Sequence, residues 1–149
     1  MANLLDSESL LNVMHKYQED NDIKEKCMTN CQTFYDIIKS KNIGNIRIEA
    51  CICVGYNIKK GCKEIVDKHF IVKVNGEIKD PSYCVNALEN KEYFFNFIDF
   101  KKKYPELKID MIKFIEFVKL SEMMNNNEFK ITDLKYYNDQ FDFIENSFK

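Results

Sequence analysis

Arginine is nearly missing from this chain. Arg47 is the only arginine among 22 basic residues, and the other 21 are lysine. Because arginine is the usual residue for bidentate recognition of phosphate and guanine, its scarcity argues against specific nucleic-acid recognition. The formal net charge is −2, so no strong overall field draws the chain toward nucleic acid or an anionic membrane. We therefore expect neither nucleic acid nor a membrane as a partner.

Long apolar runs and secretion signals are also lacking. No segment approaches the roughly 18 to 20 apolar residues that a membrane-spanning helix needs. The first residues lack the basic start and apolar run of a signal peptide. We therefore expect a soluble, cytoplasmic protein in a reducing compartment, where cysteines persist as thiols. Six cysteines are present: Cys27, Cys31, Cys51, Cys53, Cys62 and Cys84.

Linkers rich in proline, glycine or serine are absent, and no internal repeat is visible; the chain has only 2 prolines and 4 glycines. Its 149 residues, 45% of them hydrophobic, suit one core. The sequence therefore predicts a single domain over 1–149.

The spacings Cys27-x3-Cys31 and Cys51-x-Cys53 differ from the paired C-x2-C knuckles of structural zinc sites. We expect no metal and no cofactor.

Apolar spacing predicts helices in the first and last parts of the chain. The first runs over 4–18 with Asp6 as its cap, and Asp-Asn-Asp at 20–22 interrupts it. The second carries Ile23, Cys27, Cys31, Phe34 and Ile38 on one stripe and ends at 42–45. Later helices are predicted over 90–103 (stopped by Pro105), over 109–124 and within 132–147, with 128–134 as an alternative short strand.

The middle of the chain has the two-residue alternation of strands. Residues 46–56 place Ile48, Ala50 and Ile52 on one face, and 59–61 form a turn. Residues 69–74 and 77–83 then flank Asn75-Gly76, the strongest short hairpin signal. The sequence predicts an α+β fold in which helices pack on a small antiparallel sheet of three or more strands.

The hairpin brings a histidine and a carboxylate close together. If Asn75-Gly76 is a two-residue loop, Val74 pairs with Glu77, so His69 and Asp80 become diagonal neighbours on one face. A carboxylate that accepts a hydrogen bond from an imidazole N–H orients the ring, as in a catalytic triad. A shift of one residue would separate them. The alternation therefore predicts His69 as a base and Asp80 as its orienting acid.

A nucleophile is available in the second predicted helix. Cys27 and Cys31 lie one turn apart and point the same way. A thiolate is intrinsically nucleophilic, and an imidazolium or a helix N-terminus stabilises it. Cys27 is nearer that end and is the preferred nucleophile, with Cys31 as the alternative. Both could instead be plain core residues. His15, the other histidine, is predicted to lie on a solvated helix face outside any site.

These segments resemble a known enzyme superfamily. Cys27-Met-Thr-Asn30-Cys31 is similar to a C-x-x-N-(A/S) nucleophile helix. The run from His69 through Asn75-Gly76 to Asp80-Pro81-Ser82 is similar to an H…(N/D)-G-x-(V/I)-x-D-P-(T/S) hairpin. Together they resemble small members of the papain-like/transglutaminase-like superfamily over about residues 25–83. The resemblance implies that fold, with Cys27 as nucleophile, His69 as base and Asp80 as orienter.

The resemblance also implies acyl transfer, either thiol-dependent hydrolysis of a peptide, protein or small amide or ester, or deamidation or transamidation. Two positions depart from the pattern. Ile71 replaces an aromatic residue, and Lys26 precedes the cysteine where a polar residue often helps form the oxyanion hole. Asn21, Gln18 or Gln32 could supply a side-chain donor instead, with the Cys27 backbone amide as the second donor. The alternatives are an inactive copy of this fold that acts as a protein-binding module and an unrelated interaction protein. The sequence predicts no oligomeric state.

Overall fold

A computed structural model describes residues 6–40, 47–83, 90–104, 112–128, 130–131 and 133–148, with the backbone alone at 57, 59, 62–68 and 112–115. The predicted helix ends at 42–45 and Pro105 lie outside the described residues, as does Cys84. The described part is a mixture of helices and an antiparallel sheet, so the α+β prediction is confirmed. Its elements are α1 (Ser7–Asp20), α2 (Cys27–Ser40), β1 (Ile48–Lys59), β2 (Cys62–Val74), β3 (Glu77–Lys79), β4 (Lys91–Phe94), α3 (Phe97–Lys103), α4 (Ile112–Asn125) and α5 (Leu134–Ser147).

The first helix begins where its cap predicts. The Asp6 carboxylate accepts a hydrogen bond from the Ser9 amide at 2.7 Å, which satisfies one of the donors that a helix N-terminus leaves unpaired. The helix ends at Asp20, inside the predicted break. Asp22 and Glu25 then take positive φ angles of 51° and 59°, so the chain cannot continue as a helix. Ile23 therefore lies before α2 rather than on its stripe.

Two tight turns join β1 to β2 and β2 to β3, and the strand order of the sheet is β3-β2-β1-β4. Lys60-Gly61 and Asn75-Gly76 have positive φ at both positions, as the favoured two-residue hairpin turns require. Val74 pairs with Glu77, which confirms the predicted tight-turn register. The Asn75 side chain also accepts a hydrogen bond from the Arg47 amide at 2.8 Å, which fixes this turn against the start of β1.

The strand after the second turn is shorter than predicted. The sequence predicts a strand over 77–83, but β3 ends at Lys79. Asp80 then forms a local turn in which its carboxylate accepts a hydrogen bond from the Ser82 amide at 2.9 Å. Pro81 has no amide hydrogen to donate to a ladder. The predicted pairing of Asp80 and Ser82 with β2 therefore lies beyond the observed ladder.

The helix predicted over 90–103 is wrong in its first half. Lys91–Phe94 is β4, which pairs antiparallel with β1 so that Ile52 lies opposite Phe94. Helix α3 starts only after Asn96, whose side chain accepts a hydrogen bond from the Asp99 amide. The helical spacing of Tyr93, Phe94, Phe97 and Ile98 misled the prediction, because it joins residues from two elements. Ile98 is 66% exposed, outside any apolar stripe.

The middle of strand β1 is buried on both faces. The sequence predicts an alternating, half-buried strand, but all residues from Ala50 to Gly55 are buried. Cys51 and Ile52, which point to opposite faces, are both 0% exposed. In the strand order β1 lies between β2 and β4, so it is an interior strand. Small and medium apolar side chains on both faces suit that position.

The chain divides into two compact units. Unit 1 contains Met1–Glu49, Ile71–Val85 and Lys130–Lys149, and unit 2 contains Ala50–Phe70 and Asn86–Phe129. Within unit 1, α5 packs on α1 and α2; within unit 2, α3 packs on α4 and β4. The single-domain prediction stays a prediction. Of the helices in the described residues, none is both long enough and apolar enough to cross a membrane.

Candidate functional site

Cys27 is the first residue of α2. The Lys26 carbonyl accepts the hydrogen bond of the Asn30 amide, so the helical ladder begins at this point. The first amides of a helix have no acceptor within the helix and carry the positive end of its dipole. Cys27 therefore lies at the positive end of the α2 dipole. The thiol is half-buried, which leaves it partly accessible.

The other described thiols differ from Cys27 in exposure. Cys31 and Cys51 are 0% exposed and Cys53 is 7% exposed. All four are reduced thiols. Burial among apolar residues disfavours the charged thiolate, so buried cysteines react slowly. Of the two helical thiols predicted as the nucleophile, Cys27 is the accessible one. Among the described residues, no three histidine, cysteine or acidic side chains lie together as metal ligands.

The segment from Asp80 to Tyr83 is held by side chains of the first helix. The Asp80 carbonyl lies 2.7 Å from His15 Nε2. Gln18 Nε2 donates to the Pro81 carbonyl at 2.8 Å, and Gln18 Oε1 accepts from the Tyr83 amide at 2.7 Å. Gln18 is 1% exposed, so these bonds are formed inside unit 1. Side chains of α1 therefore hold the backbone on both sides of Ser82.

A second tie to this segment comes from α2. Asn30 Nδ2 donates to Ser82 Oγ at 3.0 Å, and both residues are buried. Asn30 lies one turn after Cys27, and Ser82 lies two residues after Asp80. Through this bond the helix that carries the predicted nucleophile is joined to the segment that carries the predicted orienting acid. Both residues belong to the motifs on which the family resemblance depends.

Asn30 is also part of a buried polar network with α5. Its Oδ1 accepts from the Tyr136 hydroxyl at 2.5 Å and from Gln140 Nε2 at 3.3 Å. Gln140 Oε1 in turn accepts from Gln18 Nε2 at 3.0 Å. Burial raises the pKa of Tyr136, so its hydroxyl stays protonated and remains a donor. The network thereby connects α1, α2 and α5 around the 80–83 segment.

The three side chains predicted as oxyanion donors are each engaged elsewhere. Gln18 donates to both Pro81 and Gln140, which uses both of its amide hydrogens. Asn21 donates to the Tyr17 carbonyl at 2.8 Å, at the exposed end of α1. Gln32 donates to the Asp36 carboxylate at 2.6 Å. Both amide hydrogens of Gln18 are therefore already used in hydrogen bonds, so none remains for an oxyanion.

Lys26, the departure from the family pattern, has a specific partner. Its ammonium lies 2.5 Å from the carboxylate of Asp133, the cap of α5, and 6.0 Å from the centre of the Tyr136 ring. The hydrogen bond from Lys26 holds the pKa of Asp133 below its usual value of 3.8. The pair ties the start of α2 to the start of α5, next to Cys27 in the chain.

His69 lies in β2 and is half-buried. It belongs to unit 2, whereas Cys27 and Asp80 belong to unit 1, and each unit is described by itself. His69 and Ile71 share a face of β2, since they are two residues apart. The predicted hydrogen bond between His69 and Asp80, and the predicted approach of Cys27 to His69, stay predictions.

Sequence reasoning missed the part that polar helix residues play in this region. His15 was predicted to be solvated, but it is half-buried against the Asp80 carbonyl. Gln18 and Gln140 stand at helix positions that a polarity pattern assigns to solvent, yet both are buried. A usable signal was present: Gln18 falls four residues after Met14 and seven after Leu11, on the apolar stripe of α1.

Comparisons of the chain with family models, with curated proteins and with solved structures found no match. The resemblance to the papain-like/transglutaminase-like superfamily therefore stays a prediction from the sequence motifs.

Proposed function

We propose that this protein is a thiol-dependent acyl-transfer enzyme with a papain-like/transglutaminase-like site formed by Cys27, His69 and Asp80. The observation that carries the proposal is the hydrogen bond between Asn30 and Ser82, which joins the two motifs of the resemblance. The exposure of Cys27 supports it further, because the other described thiols are buried. The proposed substrate is a peptide, a protein or a small amide or ester.

The proposed chemistry has two stages. The Cys27 thiolate attacks the carbonyl carbon, a C–S bond forms, and the bond to the leaving nitrogen or oxygen breaks as the His69 imidazolium gives it a proton. Water or an amine then attacks the thioester, gives its proton to His69, and releases Cys27. The Asp80 carboxylate keeps the imidazole oriented and stabilises its charged form. The Cys27 amide, at the start of α2, is the proposed donor to the oxyanion.

The test is the alkylation rate of each of the six cysteines, measured by mass spectrometry with iodoacetamide near neutral pH. Cys27 should react fastest, and His69→Ala should slow it by about tenfold or more, because the thiolate loses its cationic partner. Asp80→Asn keeps a side-chain oxygen that can accept the Ser82 amide, so it should slow Cys27 without releasing the turn. Cys31→Ser is the matched control, a buried thiol of the same helix, and should leave the Cys27 rate unchanged.

Slow and equal alkylation of all six cysteines would contradict the proposal. That result would favour an inactive copy of the fold that serves as a binding module, or an unrelated interaction protein. If Cys27 is alkylated fast and His69→Ala leaves that rate unchanged, the assignment of His69 as the base is contradicted. The helix terminus alone would then account for the reactivity of Cys27.

A further inference from the structure

We propose that Asn30 is a positioning residue, which sets the place of the Asp80 carboxyl relative to the Cys27 end of α2 by holding Ser82. This inference rests on the proposed function and adds a residue to the same site. Asn30 touches no reacting atom in this scheme. It acts through one hydrogen bond, Nδ2 to Ser82 Oγ at 3.0 Å, between two residues that are 2% and 7% exposed.

The orientation of the Asn30 amide is fixed by its other contacts. Two donors, the Tyr136 hydroxyl and Gln140 Nε2, point at Oδ1. Gln140 Nε2 can only donate, so turning the Asn30 amide over would place its NH₂ group against another NH₂ group, and Nδ2 therefore faces Ser82. The three partners come from α5 and from the 80–83 segment, and none of them belongs to α2. Asn30 therefore connects α2 to α5 and to the 80–83 segment.

The local turn at 80–82 couples the Asn30–Ser82 hydrogen bond to the Asp80 carboxylate. Ser82 accepts from Asn30 through its side chain and donates to the Asp80 carboxylate through its amide, at 2.9 Å. A movement of Ser82 therefore moves the atom that holds the carboxylate. On the other side, Asn30 and Cys27 share a continuous helix, in which three residues rise about 4.5 Å. The Asn30–Ser82 bond therefore closes the link between thiol and carboxyl.

Two residues of α1 also hold the 80–83 segment, so loss of the Asn30 bond should affect only the contact between this segment and α2. His15 contacts the Asp80 carbonyl, and Gln18 holds Pro81 and Tyr83, all from α1. Without Asn30 the backbone of the segment keeps these three bonds to α1. The tie to α2 would be lost, and with it the spacing between Cys27 and Asp80. Loss of Asn30 should therefore slow the reaction of Cys27, while the 80–83 segment stays attached to α1.

The experiment is a double-mutant cycle read by the pH profile of Cys27 alkylation with iodoacetamide. The variants are Asn30→Ala, Ser82→Ala and the double variant, at a temperature where each is folded by circular dichroism. Each single variant should slow Cys27 at neutral pH by about tenfold, on the scale of a misplaced catalytic group, and the double variant should be no slower. Ser82→Ala leaves Asn30 with its α5 partners, so it tests the bond if Asn30→Ala does not fold.

The matched control is Ser121→Ala. Ser121 is a serine of α4, 0% exposed, whose hydroxyl donates to the Val118 carbonyl at 2.8 Å. This variant should lower stability as a lost buried hydrogen bond does and leave the Cys27 profile unchanged. A merely structural role for Asn30 would make Asn30→Ala behave like this control.

The possible results separate the inference from the proposed function. A fast wild-type Cys27 whose profile is unchanged in Asn30→Ala or in Ser82→Ala overturns the positioning role and leaves the enzyme proposal standing. Additive slowing in the double variant also overturns it, because the two residues would then act independently. A wild-type Cys27 no faster than Cys31 overturns both. Slowing in each single variant without further slowing in the double variant supports the inference.

Discussion

The interiors of the two units are built from different chemistry. Of the eight buried polar or charged residues in the described part of the chain, only Ser121 lies in unit 2. The other seven lie in unit 1: Gln18, Thr29, Asn30, Gln32, Thr33, Ser82 and Gln140. In unit 2, the ring centre of Phe100 lies 5.1 Å from that of Phe94 and 5.2 Å from that of Tyr104. Packed apolar side chains can shift slightly and keep their contacts, whereas a hydrogen-bond network fixes the directions in which its side chains point.

That difference has a consequence for function. Two of the three residues proposed to carry the chemistry, Cys27 and Asp80, lie in unit 1, whose buried polar side chains form directional hydrogen bonds, whereas His69 lies in unit 2. A site that acts through hydrogen bonds needs its supporting side chains held by further bonds, because loose support misplaces the reacting groups. The comparison therefore predicts that substitutions inside unit 2 lower the free energy of unfolding more strongly. Substitutions inside unit 1 should have the stronger effect on the positions of the side chains that they hold.

The largest effect is expected from Phe100→Ala in unit 2. Phe100 is 0% exposed and contacts two rings, so its loss removes buried surface and leaves a cavity. The free energy of unfolding in urea should fall by about 3 to 5 kcal/mol. Ile98→Ala on the same helix is the control, because Ile98 is 66% exposed. Equal losses for the two variants would show that α3 does not support an apolar core.

A smaller loss is expected from Gln140→Leu in unit 1. Leucine fills a similar space but cannot bond to Gln18, Asn30 or Tyr136, which stay buried. Unfolding should become easier by about 1 to 3 kcal/mol, the usual cost of unsatisfied buried polar groups. Asn138→Leu, at an exposed position of α5, is the matched control. A Gln140→Leu protein as stable as this control would show that the network is not needed to hold unit 1 together.

Asp36 should make unit 1 less stable as the pH rises. Burial raises the pKa of Asp36 above its usual value of 3.8, although Tyr137 and Gln32 donate hydrogen bonds to it. The folded protein therefore holds this proton more tightly than the unfolded chain does. Its stabilising contribution is present below the unfolded pKa and is lost as the pH rises through the folded one. Asp36→Asn should gain stability relative to wild type across that window in urea titrations; a constant difference would contradict the assignment.

The smallest effect, with the opposite sign, is expected at Asp133. Its lowered pKa means that the carboxylate contributes stability above its unfolded value of 3.8, and that this contribution is lost as the pH falls through the folded pKa. Asp133→Asn keeps a capping oxygen and removes only the charge that pairs with Lys26. The difference in unfolding free energy between wild type and variant should therefore shrink in acid. A difference that grows in acid would be inconsistent with the ion pair.

Much of the local structure could be predicted from the sequence, since some signals act within a few residues. Asp6 at the start of α1 and Asn75-Gly76 between β2 and β3 both behave as predicted. Strand β4 was missed because Tyr93 and Phe94 share a helical spacing with residues of α3. The ties to the 80–83 segment were missed for another reason. They join residues more than 50 positions apart, as Asn30 and Ser82 show, and periodicity carries no information about such partners.

In the proposed site, the imidazole of His69 takes the proton of the Cys27 thiol. The most direct measurement is the ultraviolet absorbance of the thiolate near neutral pH, compared between wild type, Cys27→Ser and His69→Ala. Wild type should show one thiolate more than Cys27→Ser, and His69→Ala should lose that same absorbance. Identical spectra for all three proteins would contradict the account.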